Sequence, residues 1–300
     1  MVSNIVYQNG LFLEESRVKI SLSDSAFLWG AGFFETLRVS QGVAVFLEDH
    51  LDRLFGSLKE LQLTPPVSRI RLKFLVYETL NLNHLKEAVL RIWVSFDSGS
   101  LREMDLQKAR PSLIISCKPF EAFPRELYQE GVACVVVKDF FSNAGKLASY
   151  KTNSYFNSVI AKQKAKQENA FEALLTNALG NITEGATSNI FVIHQAKLLT
   201  PSLSDGVLAG ISRQKILDLA KDLDLEVQEK SLLLEDLFEA EEVFLSSSLK
   251  HVLAVSEVDG KKIGNPGVGA WTQKISEAYL EKIQWYVEQV LSDQSGLGQE

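Results

Sequence analysis

Two successive groups of strand and helix patterns, separated by a proline-containing stretch, constrain the fold of this chain most strongly. Pro119 and Pro124 lie among residues that are typical of turns and linkers. A chain of 300 residues is long enough for two domains. We therefore predict a mixed α/β protein with a small domain at 1–118, a linker at 119–131 and a larger domain at 132–300.

The first half opens with the pattern of a β-hairpin. Apolar residues at 5–7 and 11–13 flank Asn9-Gly10, a pair that supplies the positive backbone angles of a tight turn. Apolar side chains at helical spacing predict helices at 48–61 and 67–80. Apolar runs predict further strands at 33–39, 43–46, 88–96 and 112–117.

The second half has the same mixture of patterns. Apolar runs predict strands at 132–138, 172–176, 188–194 and 242–245. Helical spacing predicts helices at 153–167, 211–223 and 269–291. The sequence has no internal repeats, and only the Ser/Gly/Gln-rich residues after Ser292 are of low complexity.

Composition and charge argue against several classes of protein. With 46% hydrophobic and 23% charged residues, the chain can bury a substantial core. Its net charge of −7 and its lack of a basic run argue against a nucleic-acid partner. The start lacks the pattern of a signal peptide, and the longest apolar block, Ala26–Phe34, is far short of the ~20 residues that span a membrane. We expect no membrane association and a cytoplasmic location.

The cysteines and histidines predict neither a disulfide framework nor a metal site. Cys117 and Cys134 lie in apolar, strand-like runs, and we interpret both as buried free thiols. The 4 histidines are scattered, without an i,i+4 pair or a cysteine partner. The sequence therefore predicts no bound metal.

Lys151 and Glu184, which are 33 residues apart, carry the strongest functional signal. Lys151 lies before a predicted helix, where a single lysine is most often a solvated loop residue. Glu184 follows in Thr183-Glu184-Gly185, an acidic turn that enters an apolar strand. This pairing resembles the core of the fold-type IV pyridoxal-phosphate enzymes, the class IV aminotransferase family. That family includes branched-chain and D-amino-acid aminotransferases and aminodeoxychorismate lyase.

The resemblance covers nearly the whole chain. Its blocks, in the family's order, are Ser23-Asp24-Ser25, Gly30–Arg38, His50–Leu54, Lys151, Glu184, Gly206–Arg213 and Ser246–Ser248. Several blocks in one order are more specific than any single block. The resemblance implies a two-domain fold-type IV architecture, pyridoxal 5'-phosphate as cofactor, a small-molecule substrate, and a homodimer with each site near the subunit interface.

For the reactive groups, the resemblance implies a catalytic Lys151 and a cofactor-binding Glu184. The matching lysine of the family forms the internal Schiff base with the cofactor aldehyde and then moves protons on the substrate carbon. This role requires an amine made nucleophilic by desolvation or nearby positive charge. The matching carboxylate keeps the ring nitrogen protonated. Taken alone, Glu184 could instead solvate the rim of a hairpin turn at Gly180-Asn181.

The phosphate ligands that the resemblance implies are Arg53, the backbone amides of Ile211 and Ser212, and a hydroxyl of Ser247 or Ser248. A guanidinium can bind an anion through two N–H groups, and a helix N-terminus favours negative charge. The residues also have ordinary alternatives. Arg53 could pair with Asp49 one turn earlier on its helix, and Ser212 could cap a helix. The serine run could simply end a strand before a turn.

Tyr155 lies four residues after Lys151, a spacing that would place both side chains on one face of a helix. In branched-chain aminotransferases a tyrosine at this place hydrogen-bonds the cofactor's phenolic oxygen. An ordinary half-buried helix tyrosine is the alternative. We name Tyr155 as a candidate cofactor ligand.

Three positions resemble the aminodeoxychorismate lyases. Arg91 on a predicted strand and Arg102 in the next loop match the two cations with which those enzymes meet a substrate with two carboxylates. Thr36 matches a threonine that helps to move a proton in those enzymes. The resemblance thus implies a catalytic Thr36, with Phe34, Arg91 and Arg102 in contact with substrate.

Other positions depart from the aminotransferase patterns. The Arg-x-His pair of D-amino-acid aminotransferases is missing from 98–104. The Tyr-x-Arg pattern of branched-chain enzymes keeps Arg91 but has Val89 where the tyrosine is expected. No glutamate follows the serine run directly, as in the lyases, whereas Tyr155 favours the branched-chain enzymes.

On balance we predict an aminodeoxychorismate lyase. It would eliminate pyruvate from 4-amino-4-deoxychorismate through the Lys151 Schiff base, leaving 4-aminobenzoate for folate biosynthesis. The alternative is a pyridoxal-phosphate-dependent aminotransferase for branched-chain or D-amino acids. A non-catalytic homologue ranks third, because Lys151 and Glu184 are both present.

Overall fold

The computed structural model describes residues 4–138, 145–265 and 267–296. Two compact units make up this part of the chain. The first contains the described residues up to Glu121, the segment Lys151–Tyr155 and the described residues from Gln284 onward. The second contains the described residues of Ala122–Tyr150 and Phe156–Ile283. The predicted division at 119–131 stays a prediction.

The first unit is built on an antiparallel sheet. Its strands are β1 (Ile5–Gln8), β2 (Leu11–Glu14), β3 (Phe33–Ser40), β4 (Val43–Ala44), β5 (Ala88–Asp97) and β6 (Arg110–Pro119). Among the described residues these six strands follow the order β2-β1-β6-β5-β3-β4. Three helices accompany them, α1 (Ser25–Trp29), α2 (Leu47–Glu60) and α3 (Arg69–Leu82).

Local sequence explains why these elements form. Asn9 and Gly10 have φ angles of 47° and 100°, and they make the two-residue turn between β1 and β2. Helix α2 buries Leu51, Leu54 and Leu58 along one face, the spacing that its sequence shows. The predicted hairpin and the predicted helix are therefore both present.

The second unit contains a larger sheet. Its strands are β7 (Val132–Val137), β8 (Glu172–Thr176), β9 (Ile182–Gly185), β10 (Asn189–His194), β11 (Lys197–Thr200), β12 (Glu226–Glu229), β13 (Glu242–Ser247), β14 (His251–Val258) and β15 (Lys261–Lys262). The order is β12-β11-β10-β13-β14-β7-β8-β9, with β15 paired to β14. The α-helices that begin in the described part of this unit are α4 (Arg125–Glu130), α5 (Phe156–Gln167), α6 (Ile211–Asp222), α7 (Leu234–Phe238) and α8 (Ala270–Gly296).

This second sheet mixes strand directions. Strand β7 runs parallel to both β8 and β14, whereas β13 is antiparallel to β10 and β14. The central strands are buried on both faces, which accounts for their continuous apolar runs. The mixed α/β class predicted from sequence is confirmed.

Most predicted boundaries are shifted by one or two residues, and three of the differences have a clear local cause or bear on the site. The helix expected from residue 153 begins at Phe156, because the residues before it are extended. The strand expected to reach residue 46 ends at Ala44, since Phe46 adopts a left-handed φ of 54° at the N-cap of α2. Helix α8 continues past the predicted end at 291 to Gly296, and residues 297–300 of the polar tail lie outside the described residues.

Both cysteines are free and buried, as predicted, and burial raises the pKa of the Cys117 and Cys134 thiols. Within the described ranges, no helix combines the length and apolar character needed to cross a membrane. Across the same ranges, no group of three or more His, Cys, Asp or Glu side chains is arranged to hold a metal ion.

Candidate active site

Lys151 lies on an extended segment that runs beside β3. The backbone N–H of Phe34 donates to the carbonyl of Lys151 at 3.0 Å, and the N–H of Asn153 donates to the carbonyl of Gly32 at 2.9 Å. A β-bridge joins Phe33 to Thr152. These long-range hydrogen bonds compete with helix formation, so the prediction that Lys151 and Tyr155 share a helical face is wrong.

Two glycines allow the Lys151 segment to approach this closely. Gly30 has a positive φ of 67°, and a Cβ there would lie 3.0 Å from the Cα of Ser154. A Cβ on Gly32 would lie 2.8 Å from the Cβ of Ala26 and 2.9 Å from the carbonyl oxygen of Val94. The glycines at both positions are therefore required by the packing around the lysine.

Aromatic rings surround the Lys151 amine. Its Nζ lies 4.5 Å from the ring centre of Phe34 and 5.8 Å from that of Tyr155. The two rings meet edge to face, with centres 5.3 Å apart. Tyr155 thus lies beside Lys151 although the backbone between them is not helical, and its predicted contact with the cofactor stays a prediction.

Arg91 and Thr36 lie opposite each other on β5 and β3. The Arg91 guanidinium stacks 4.5 Å from the ring centre of Phe34 and 5.4 Å from that of Trp93, and burial lowers the pKa of Arg91. Arg91 Nε and Thr36 Oγ1 are buried, and no described residue gives either a hydrogen-bond partner. Buried polar atoms are normally paired, so these two suit a ligand that carries hydrogen-bonding groups.

Arg53 forms a forked pair with Glu35, a residue to which the sequence assigned no role. Nε and Nη2 of Arg53 donate to the two carboxylate oxygens at 2.8 Å and 2.6 Å. His50 Nδ1 lies 2.7 Å from Glu35 Oε2. Arg53 thus has an acidic ion-pair partner on β3, which helical spacing did not offer.

The charges in this cluster are strongly coupled. Burial opposes ionisation of Glu35, but the Arg53 charge and the hydrogen bonds from Arg53 and His50 lower its pKa to about 2. Burial lowers the pKa of His50, and the positive charges of Arg53 and Lys151 act in the same direction. A neutral His50 therefore donates from Nδ1 to an ionised Glu35. The cluster orients the Arg53 guanidinium, whose contact with phosphate stays a prediction.

Arg102 does not join these groups. It is exposed in the loop between β5 and β6, where its backbone N–H donates to Ser100 Oγ at 3.2 Å. The described residues provide no side-chain partner for its guanidinium. Its predicted contact with substrate stays a prediction.

In the second unit, Glu184 lies half-buried on β9. Its Oε2 accepts a hydrogen bond from the backbone N–H of Leu208 at 3.1 Å. The carbonyl of Leu208 accepts from Asn189 Nδ2 at 3.0 Å, and a Cβ on Gly210 would lie only 2.0 Å from Asn189 Oδ1. Glu184 and Asn189 therefore hold the loop before α6, a role that sequence reasoning missed for Asn189.

Helix α6 begins directly after this loop. Its N-cap is Gly210, which has no side chain to cap the helix, so the alternative that Ser212 is the cap is wrong. The Ser212 hydroxyl lies 2.8 Å from that of Tyr279. The amides of Ile211 and Ser212 are in the first turn, where backbone N–H groups lack helical acceptors and favour an anion.

The predicted serine ligands lie at the end of β13 and in the turn that follows. Ser247 is the last residue of β13, and its Oγ accepts from the backbone N–H of Lys250 at 3.2 Å. Ser248 lies in the turn before β14. These hydroxyls and the first-turn amides of α6 supply the donor chemistry that a phosphate needs.

Residues 32–258 match the family model described as amino-transferase class IV. The chain belongs to the class IV aminotransferase family. It is also 33% identical to a putative branched-chain-amino-acid aminotransferase of Methanocaldococcus jannaschii, over 93% of this chain and 97% of that protein. The family expected from sequence is confirmed.

Two further similarities bear on the reaction. An aminodeoxychorismate lyase of Bacillus subtilis is 26% identical over 93% of this chain and 94% of its own length. The solved structure of a branched-chain aminotransferase from Thermoproteus uzoniensis, determined with norvaline, matches with a TM-score of 0.87 and 29% identity. That match covers 97% of this chain and 98% of the other. Other matching solved structures of branched-chain aminotransferases contain pyridoxamine 5'-phosphate or a phosphopyridoxyl derivative. The predicted fold-type IV architecture, the pyridoxal-phosphate cofactor and the enzymatic character are confirmed.

Proposed function

We propose that this chain is an amino-acid aminotransferase that accepts branched-chain L-amino acids, the alternative to the predicted lyase. The observation that carries the proposal is the position of the Lys151 amine against the rings of Phe34 and Tyr155. An apolar wall beside the reactive amine suits an amino acid with an apolar side chain. The similarity to enzymes named as branched-chain aminotransferases supports the same choice.

The residues of each unit have distinct tasks in this proposal. In the first unit, Lys151 would hold the cofactor aldehyde and later carry the proton at the substrate α carbon. In the second unit, Glu184, which the Leu208 N–H already orients, would accept a hydrogen bond from the ring nitrogen. When bound, pyridoxal phosphate supplies the electron sink for negative charge at that carbon.

The remaining predicted ligands would serve the phosphate and the substrate. We assign the phosphate to Arg53, the Ile211 and Ser212 amides, and the Ser247 and Ser248 hydroxyls. Arg91 would meet a carboxylate, because its buried Nε has no partner among the described residues. The amino-group acceptor would be a 2-oxo dicarboxylate such as 2-oxoglutarate, and one of its carboxylates would bind Arg91.

The lyase remains a second candidate because of one pairing. Thr36 lies opposite Arg91, and each presents a buried polar atom without a described partner. A hydroxyl beside a cation suits a substrate with two carboxylates and a proton to be moved, and Arg102 could supply the second cation. The similarity to the Bacillus subtilis protein named as a lyase supports this candidate.

One assay separates the candidates. The purified protein is mixed with L-leucine and 2-oxoglutarate, or with 4-amino-4-deoxychorismate and no oxo-acid acceptor. Formation of glutamate and the leucine oxo acid supports the aminotransferase. Release of pyruvate and 4-aminobenzoate without an acceptor supports the lyase. A protein that binds the cofactor but turns over neither substrate would fit the non-catalytic homologue.

The homodimer and the cytoplasmic location are also part of the proposal. Exposed apolar side chains on the first unit, among them Leu22, Phe27, Leu101 and Met104, provide surface that a second copy could cover. Light scattering on the purified protein measures the subunit number. A monomer at working concentration would contradict the homodimer.

A further inference from the structure

A buried lysine that the proposed function does not use, Lys250, connects two turns of the second unit. Its side chain is 9% exposed, and its Nζ lies 2.6 Å from Oε2 of Glu172, which is fully buried. Nζ also contacts the hydroxyl of Thr187. A lysine is rarely buried to this degree unless it is paired, so the position calls for a specific reason.

The Glu172 carboxylate contacts the turn of Ala186 and Thr187, which directly follows β9, the strand that carries Glu184, and is named the Glu184 turn. Its Oε2 accepts hydrogen bonds from Thr187 Oγ1 at 2.7 Å and from Ser188 Oγ at 3.3 Å. A Cβ on Gly185, the neighbour of Glu184, would lie 3.1 Å from Cγ of Glu172. The carboxylate therefore supports the backbone that carries Glu184.

The backbone of Lys250 is attached to the other turn. Its N–H donates to Ser247 Oγ at 3.2 Å, and its carbonyl accepts from the hydroxyl of Tyr128 at 3.1 Å. Lys250 is thus bound through its main chain to the Ser247–Ser248 turn and through its side chain to the Glu184 turn.

Stability alone is a poor explanation for this pair. Burial lowers the pKa of Lys250, although the charge of Glu172 opposes that change, so the ammonium has lost much of its hydration. Replacing a buried ion pair by apolar residues of similar size often leaves the free energy of unfolding unchanged or raises it. A buried pair does fix one geometry, because its hydrogen bonds are directional.

We propose that Lys250 is a positioning residue, which holds the Glu184 turn and the Ser247–Ser248 turn in one arrangement for the pyridine ring and the phosphate of the cofactor. This inference rests on the roles given to those residues under the proposed function. Lys250 acts through its neighbours, and its own contacts are with Glu172, Thr187, Ser247 and Tyr128.

The test is the affinity of the apoprotein for pyridoxal phosphate in Lys250→Met, with the pH dependence of the visible spectrum of the bound cofactor as a second readout. We expect the dissociation constant to rise about tenfold or more, since the side-chain hydrogen bonds of Lys250 to Glu172 and Thr187 are lost while its main-chain bond to Ser247 stays. We also expect the spectral titration to move, because Glu184 would no longer be held against the ring nitrogen.

Two matched variants serve as controls. Lys197→Met removes a partly exposed lysine that forms an ion pair with Glu226 at 2.8 Å, and the cofactor affinity of this variant should stay within about twofold of the original. Lys162→Met removes the other lysine on Glu172, at 3.1 Å, which is partly exposed and has no link to Ser247. Its effect should be clearly smaller than that of Lys250→Met.

The proposal is overturned if Lys250→Met binds the cofactor within twofold of the original protein, or if Lys162→Met weakens binding equally. Should Lys250→Met not fold, Lys250→Arg keeps the charge and changes the shape of the donor. It should bind the cofactor more weakly at an unchanged Tm, and unchanged affinity would overturn the proposal. Cofactor binding without any transamination by the original protein would count against the proposed function alone.

Discussion

Thr36 and Arg91 face each other across β3 and β5, and each has a buried polar atom for which the described residues offer no partner. Arg91 is held in place by Phe34 and Trp93, whose rings flank its guanidinium. A cation that is fixed by stacking but lacks a full set of hydrogen bonds is well suited to a carboxylate.

Arg91→Met should therefore raise the KM for 2-oxoglutarate by roughly 10- to 100-fold, the equivalent of a hydrogen bond to a charged group. The KM for L-leucine should change much less, because leucine has no carboxylate besides its α-carboxylate. Steady-state kinetics with each substrate varied in turn measures both. The control is Lys118→Met. Lys118 is an exposed cation on the same sheet as Arg91, and it forms an ion pair with Glu15. Equal effects on both KM values would argue against a carboxylate contact at Arg91.

Lys151→Ala should abolish nearly all turnover and the visible absorption of the lysine-bound cofactor, because no amine then reaches the aldehyde. The circular dichroism spectrum should be unchanged, since the backbone hydrogen bonds of the segment do not need the side chain. Lys164→Ala, in the last turn of α5, is the matched control and should keep its activity. Full activity in Lys151→Ala would overturn its assignment as the catalytic lysine.

Sequence periodicity predicted the regular elements well and the irregular ones poorly. Strand β8 has the predicted bounds, since a run of apolar residues is a local signal. The sequence predicts a turn at Thr183-Glu184-Gly185, but these residues belong to strand β9, which is only four residues long and pairs irregularly with β8. Short strands of this kind depend on their neighbours rather than on their own pattern.

Side-chain partners were predicted least well, because most of them are distant in sequence. Helical spacing offered Asp49 to Arg53 but gave no sign of Glu35, a partner that lies 18 residues away on a strand. Lys250 and Glu172 are 78 residues apart, and neither was singled out. One signal was present for Glu172: a charged residue at the head of an otherwise apolar strand implies a buried partner.

Gly32→Ala should destabilise the first unit by about 1–3 kcal/mol and lower kcat, since the new methyl group overlaps Ala26 and the Val94 carbonyl. Relief of that overlap must shift the backbone that hydrogen-bonds to Asn153, two residues from Lys151. Urea unfolding and kcat are the measurements.

Gly56→Ala is the matched control for this change. Gly56 lies inside α2, and a Cβ there meets nothing within 4 Å. Alanine should therefore raise the free energy of unfolding by about 0.5–1 kcal/mol and leave kcat unchanged. If both alanine variants behaved alike, the close approach at Gly32 would not explain the glycine.

Glu35 should make the stability of the first unit depend on pH in the acid range. Its pKa is lowered from 4.5 to about 2 in the folded protein, so the ionised carboxylate stabilises the fold. This contribution is fully present above pH 4.5 and is lost as the pH falls toward 2. For this buried group it is on the order of 3 kcal/mol.

Glu35→Gln should lower the free energy of unfolding most at pH 7, because Arg53 then lacks its buried counter-charge and the amide keeps only one of the two oxygens that accept from Arg53 and His50. The deficit relative to the original protein should shrink as the pH falls from 5 to 3, because the Glu35 carboxylate of the unfolded chain takes up a proton in this range while that of the folded protein stays ionised. Urea unfolding at several pH values measures both quantities. Glu121→Gln, which changes an exposed carboxylate of the same unit, should leave the pH profile unaltered. A deficit that stayed constant from pH 7 to 3 would contradict the assignment, since it would show that Glu35 stabilises the fold by packing and not by its charge.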